Sequence, residues 1–220
     1  MFRDKQQILA ALEALGRRLA LEKAEPVSLL VCGAAALTCQ DLLVRGTQDV
    51  DVLGLTSRRA PLRIVGGEFS GELHGAVARV ATDLRLPSDW LNDKANLVHA
   101  NWGLPPGAIE RARRMDFGPC LRALWLHRRD LAALKLLGAL DKDPAEALRH
   151  FRDLVEIDPA PAEVKAAVAW LLNRPTSEEF RRKVCDVAER LGVENLTEGG
   201  EELVSSKPSL QRVHRRGCSR

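Results

Sequence analysis

The sequence predicts a mixed α/β protein of the α+β kind, a small mixed sheet flanked by helices and followed by a C-terminal helical bundle. Two observations predict it. Short apolar runs with strand character, about four of them, fall before residue 128, and helical periods follow one another from Asp130 onward. The composition, 45% hydrophobic and 29% charged over 220 residues, is an ordinary globular balance, enough for one large domain or two small ones. The organisation expected is an α/β domain over 1–129, a helical subdomain over 130–195, and a basic tail over 196–220 read as disordered.

Ile8, Leu9, Leu12, Leu15 and Leu19 recur at helical spacing, so an amphipathic helix is expected over 4–23, ending before Pro26. The run Val27 to Cys32 is short and apolar with β-branched ends, a buried strand that stops at Gly33. A second helix is expected from Ala34 to about Val44. Thr47 to Leu55 then alternates Asp49 and Asp51 with Val50 and Val52, the period of a strand. Ser57 to Gly67, rich in Arg, Pro and Gly, reads as a loop with a short strand at Leu62 to Val65. A third helix follows from Ser70 to Leu84.

A helical turn around Trp90 is expected next, then an extended region to Gly107, because Pro105-Pro106 cannot be helical. Ile109 to Phe117 and Leu121 to His127, separated by Gly118-Pro119, read as a hairpin, and Asp130 as the cap of a helix to about Leu140. Helices over 144–156, 161–172 and 177–191 complete the chain.

The net charge of +3 is too mild for a general nucleic-acid binder, and aromatics at 4% with no Tyr argue against a stacking platform for single strands. Cys32, Cys39, Cys120, Cys185 and Cys218 have neither paired spacing nor an even count, which speaks against a disulfide framework or a zinc site. Charged residues interrupt the N-terminal apolar positions, so neither a signal peptide nor a membrane span is expected, and a cytoplasmic protein is.

Two carboxylates two residues apart on one strand face the same way and can share a divalent cation, since Mg²⁺ takes hard oxygen ligands and keeps room for water and phosphate. A bare Asp-x-Asp is usually solvated surface, so the neighbours of Asp49 and Asp51 decide. Gly33 stands between strand and helix, followed by Ala34, Ala35 and Ala36; such a turn either takes phosphate oxygens on free N–H groups or is only a turn.

Val31-Cys32-Gly33-Ala34 followed by Arg45-Gly46-Thr47-Gln48-Asp49-Val50-Asp51-Val52 resembles the nucleotidyltransferase superfamily. The Arg-x-Thr-x-Asp-x-Asp form is similar to the branch of abortive-infection E type toxins and their uncharacterised bacterial relatives. Lys135-Leu136 with Lys142, His150-Phe151-Arg152-Asp153-Leu154, and Leu86-Pro87-Ser88-Asp89-Trp90-Leu91-Asn92-Asp93 extend the resemblance over about residues 25–195. It departs from the superfamily pattern at Ala34, where a second Gly or Ser is usual, at Lys142, where Arg is expected, and in lacking a clear third strand carboxylate. Asp116 is the nearest candidate for that carboxylate, or else an exposed hairpin acid.

The resemblance implies a Mg²⁺-dependent (or Mn²⁺-dependent) enzyme that moves a nucleoside monophosphate from a nucleoside triphosphate to an RNA hydroxyl, tRNA included, or a protein hydroxyl. Its setting would be the toxin of a toxin–antitoxin pair, with an antitoxin protein as partner and no membrane. The helical subdomain would complete the cleft of the nucleotidyltransferase-like domain. Asp49, Asp51, Lys135 and Asp153 would be catalytic, Asp49 and Asp51 would hold the metal, and Gly33, Ala34, Arg45, Thr47, Lys135 and Lys142 would meet the nucleotide. Lys135, in an apolar helix, either snorkels to water or meets the triphosphate. Asp153 would orient Lys135 or act as a base, or form a surface hydrogen bond with His150; Arg45 would meet phosphate or pair with Asp41. The alternative is a catalytically weakened nucleotide-binding or protein-interaction module of the same fold.

Overall fold

The first helix, α1 (Lys5–Leu21), begins where the Asp4 carboxylate accepts from the Gln7 N–H, and it buries Ile8, Leu12, Leu15 and Leu19 at the expected helical spacing. The computed structural model describes residues 2–193, so the basic tail expected from residue 196 lies outside the described residues. Within them the protein is a mixed α/β structure with one six-stranded sheet and its last helices gathered toward the C-terminus.

β1 (Val27–Cys32) is buried along all but its first residue, as a continuous apolar run requires. It pairs antiparallel with β2 (Val50–Thr56) and parallel with β6 (Leu121–Trp125), giving the order β3-β2-β1-β6-β5. β3 (Ile64–Gly66) and the two-residue β4 (Leu91–Asn92) both pair with β2, β3 beside its C-terminal end and β4 beside its start. β5 (Arg113–Asp116) and β6 form the expected hairpin around Gly118-Pro119. β6 is buried at every position.

Helices cover this sheet. α1 packs on α3 (Gly71–Leu84) and on α2 (Gly33–Cys39). α6 (Arg128–Gly138) packs on α2, α7 (Pro144–Ile157) and α8 (Pro161–Leu172), and α8 carries α9 (Glu178–Arg190). Trp90 is a core anchor, fully buried with its indole N–H donating to the Val77 carbonyl at 3.1 Å. Cys32, Cys39, Cys120 and Cys185 are free thiols. Among the described residues no helix is long and apolar enough to cross a membrane.

Four local expectations are corrected. α2 ends at Cys39 rather than near Val44, because Asp41 adopts a left-handed backbone (φ 60°) and the Leu42 N–H turns back to the Leu37 carbonyl. The stretch expected to be extended before Gly107 contains α4 (Asn96–Trp102), whose last carbonyls, on Asn101 and Trp102, accept from the Arg174 guanidinium. The first hairpin strand starts only at Arg113, since Ala108–Arg111 forms the short helix α5. Asp130 does not cap α6. His127 caps it through its ring nitrogen, and the fully buried Asp130 carboxylate receives Arg111 at 2.6 and 3.1 Å.

Gly16 sets how closely α1 can lie against the hairpin. A Cβ there would stand 2.0 Å from the Phe117 carbonyl oxygen. Alanine normally favours a helix interior over glycine by about 1 kcal/mol. Gly16→Ala should instead lower the free energy of urea unfolding by about 1–3 kcal/mol, the usual cost of overpacking. A more stable variant would show that α1 does not sit this close.

Candidate functional site

The residues that join β1 to α2 make the floor of the site. Gly33 has a left-handed backbone (φ 70°), and a Cβ on it would lie 2.4 Å from Oδ2 of Asp51. Only glycine satisfies both conditions. Register explains the proximity, because Cys32 at the end of β1 is paired with Asp51 on β2. A cavity of about 1080 Å³ opens here, bounded by this turn, the segment from Arg45 to Asp51, and parts of α4, α6, α7 and α9.

Asp49 and Asp51 both line the cavity, as the two-residue spacing predicted. The mechanism differs in one respect: Asp49 precedes β2, which starts at Val50. Its position is fixed from behind. Thr47 exchanges both backbone hydrogen bonds with the buried Phe2, and its own hydroxyl donates to the Asp49 carbonyl at 3.1 Å. Thr47 is 5% exposed, so its hydroxyl serves the turn that presents Asp49.

Asn92 joins the two acids, and sequence reading gave it no role of its own. β4 places it opposite Asp51 in the sheet. Its side-chain amide donates toward Asp49 Oδ2 and Asp51 Oδ1, each at 3.4 Å, while its carbonyl oxygen accepts from the Lys94 N–H at 3.1 Å. That second bond sets which way the amide points. The only sequence signal for it was its place within the Leu86 to Asp93 segment. Asp116 is excluded as a third carboxylate: it lies on the edge strand β5, bound by Arg114 and Arg122.

Burial, and then the charge of Asp49, push the Asp51 carboxyl above its ordinary range, with Asn92 and Lys135 opposing. The pair therefore carries like charges in a confined place, a condition that a divalent cation relieves. Asp49 and Asp51 suit such a cation chemically, as hard oxygen donors on the wall of a cavity large enough for water and phosphate ligands. Among the described residues no group of three or more His, Cys, Asp or Glu side chains forms a metal-binding cluster. Burial and then Asp51 raise the Cys32 thiol well above its ordinary value, which disfavours the thiolate.

Lys135 faces the same cavity from α6, its side chain 8% exposed. It does not snorkel. Its ammonium meets Asp153 Oδ2 at 2.6 Å, and Arg45 grips the same carboxylate with contacts of 2.6, 2.8 and 3.0 Å. Burial pushes Asp153 up, but Lys135 and Arg45 together outweigh it and hold the carboxyl below the usual range. So held, and absent from the cavity lining, Asp153 is placed to orient Lys135. Arg45 pairs with Asp153 rather than with Asp41, which binds Lys5 instead.

His150 makes no bond to Asp153 either. Its Nδ1 lies 3.4 Å from the Lys135 ammonium, and its ring packs where a Cβ on Gly138 would stand only 2.5 Å away. Burial, then the charges of Lys135 and Arg149, lower its pKa to about 4, so the ring is neutral near pH 7 and can accept from Lys135. Ala34 also lines the cavity, and its polar lining includes Lys94, Asp141, Lys142, Glu146 and Arg149, Lys142 from an exposed position between α6 and α7.

The structure thus brings Gly33, Ala34, Arg45, Thr47, Asp49, Asp51, Lys135 and Lys142 to one cavity, with Asp153 supporting it. Comparisons with protein-family models, with curated proteins and with solved structures each gave no match.

The Lys135–Asp153–Arg45 arrangement has a measurable signature. A carboxyl depressed by its partners stabilises the fold above its ordinary value, about 3.9 for Asp, and that stabilisation is lost as pH falls through the lower folded value. Asp153→Asn leaves two cations against a neutral amide and should cost about 3–5 kcal/mol at pH 7. Urea unfolding from pH 7 to pH 2 should show the gap between wild type and variant closing at the acid end. A gap that stays constant would mean that the charge of Asp153 is not what matters.

Proposed function

We propose that the chain is a Mg²⁺-dependent (or Mn²⁺-dependent) nucleotidyltransferase that moves a nucleoside monophosphate from a nucleoside triphosphate to a hydroxyl on RNA or protein. One observation carries this reading. Two unpaired carboxylates, Asp49 and Asp51, share a large open cavity with the oriented ammonium of Lys135 and the Gly33 turn. Had the acids been closed off by arginine partners, a purely structural role would be favoured. No arginine or lysine is within ion-pair distance of either among the described residues.

In this reading Asp49 and Asp51 hold the cation, and Asn92 keeps the two side chains in place through its amide. When bound, the cation neutralises triphosphate charge and lowers the pKa of the incoming hydroxyl. Lys135 supplies a fixed positive charge to the phosphates, held by Asp153, which Arg45 also binds, so that little reorganisation is needed. Gly33 and Ala34 let the backbone approach the phosphates closely. Lys142 adds positive charge to the lining, whereas Arg149 there is paired with Glu146. The acceptor oxygen bonds to the α-phosphorus, the bond to the β-phosphate bridging oxygen breaks, pyrophosphate leaves, and the hydroxyl proton is lost to solvent or a nearby base. A toxin–antitoxin setting, inside the cell and with an antitoxin as partner, belongs to this proposal through the sequence resemblance alone.

The test is transfer of label from α-phosphate-labelled nucleotides, with Mg²⁺, to total RNA or to proteins of a cell extract. Wild type should label an acceptor. Asp51→Ala and Lys135→Ala should each reduce labelling about 100-fold or more, the range for lost electrostatic stabilisation being roughly 100–1,000-fold. Nucleotide binding without transfer to any acceptor would assign the chain instead to a weakened binding module, a reading that Ala34 favours. Absence of both binding and transfer would end the proposal.

A further inference from the structure

We propose that the part of the cavity formed by α4, α6 and α9 is a nucleobase subsite, in which Phe180, backed by Trp102, offers the stacking surface. This rests on the nucleotidyltransferase reading above and extends it to the recognition of the base. The volume motivates it first. At about 1080 Å³ the cavity exceeds the range of roughly 300–1,000 Å³ that encloses a whole small-molecule ligand, so phosphates and a cation alone leave much of it unfilled.

The lining includes apolar residues as well as the acids. Leu97 and Val98 from α4 and Leu134 and Leu137 from α6 make an apolar wall, with Trp102 and Phe180 beside them. Aromatic residues are scarce in this chain, and six of them, Phe2, Phe69, Trp90, Phe117, Trp125 and Trp170, are buried in the core. Trp102 and Phe180 are only half-buried, and both face the cavity.

Their geometry is prearranged. The two rings stack with centroids 5.2 Å apart and planes at 22°. Arg174 lies over the indole at 5.1 Å and donates to the carbonyls of Asn101 and Trp102 at 3.2 and 2.6 Å, fixing the end of α4 that carries the ring. Because Phe180 and Arg174 both lie over the indole, the ring face left to a base belongs to Phe180, and a ring held in this way loses little freedom when a flat ligand settles on it. Asn101 lines the same wall and carries a side-chain amide with both donors and an acceptor, which is the chemistry needed to meet a base edge. Stacking on an aromatic face accepts any base, so discrimination among bases would come from that polar edge.

Calorimetric titration of the full chain with Mg²⁺ and each of ATP, GTP, CTP and UTP, and in parallel with Mg²⁺ and inorganic tripolyphosphate, tests the subsite. At least one nucleotide should bind wild type about tenfold or more tighter than tripolyphosphate, the low end of what base–aromatic stacking contributes. Phe180→Leu keeps apolar volume but removes the ring. It should erase about a tenfold preference for that nucleotide and leave tripolyphosphate affinity unchanged, while Phe180→Trp retains the preference. All four nucleotides binding wild type no tighter than tripolyphosphate would overturn the subsite without any variant being needed, and would leave the phosphate and metal site standing. Equal weakening of nucleotide and tripolyphosphate in Phe180→Leu would also overturn it, since that is the mark of a structural role. If neither ligand binds wild type, the nucleotidyltransferase reading falls together with the subsite.

Discussion

The contact between Gly33 and Asp51 constrains everything else around the cavity. A carboxylate oxygen occupies the space where any other residue at position 33 would carry its Cβ, and the backbone there has the left-handed φ that glycine tolerates. This close approach is possible because β1 and β2 run antiparallel with Cys32 opposite Asp51. The end of one strand, the start of a helix and an acidic side chain therefore meet at one point. Once Asp51 is fixed, the bridge between Thr47 and Phe2 brings Asp49 beside it, and β4 delivers Asn92 to both. Three chain segments far apart in sequence are thereby tied to a single acidic corner.

Opposite that corner, the helical part supplies the positive charge. Lys135 would be costly to bury alone, and the fold compensates with Asp153, which Arg45 also binds from the segment leading into the acids. Arg45 thus connects the two sides. The result is a cavity that holds two carboxylates without an ion-pair partner and a restrained ammonium, supported by Arg45 and Thr47, which line it, and by Asp153, which does not. Fixed charges of this kind act on a ligand without first having to be reoriented.

Much of this was legible in the sequence where the signal is local. The apolar run of β1, the period of α1, α3 and the last three helices, the turn at Gly118-Pro119 and the alternation around Asp51 each reflect the geometry of one element, so pattern and structure agree. The misses share a cause in tertiary contacts. α4 depends on Arg174, more than seventy residues away, to hold its last carbonyls, and Asp130 looks like a cap until Arg111 is placed against it. Likewise Arg45 found its acid on α7 rather than four residues back on its own chain segment. Asn92 could not be singled out because its role comes only from the two-residue pairing of β4 with β2. Thr47 was expected at the nucleotide, where it lines the cavity, and the roles open to Asp153 included orienting Lys135. The structure gives them the task of positioning Asp49 and Lys135.

The central claim is that Asp49 and Asp51 are held together at a cost that a divalent cation removes. The free energy of unfolding of wild type and Asp51→Asn, each measured in chelator and in Mg²⁺, tests it most directly. A carboxyl raised above its ordinary value destabilises the fold once ionised, so the variant should be the more stable of the two in chelator at pH 7, and Mg²⁺ should stabilise wild type alone. A variant no more stable than wild type in chelator, or an equal response of both to Mg²⁺, would contradict the account.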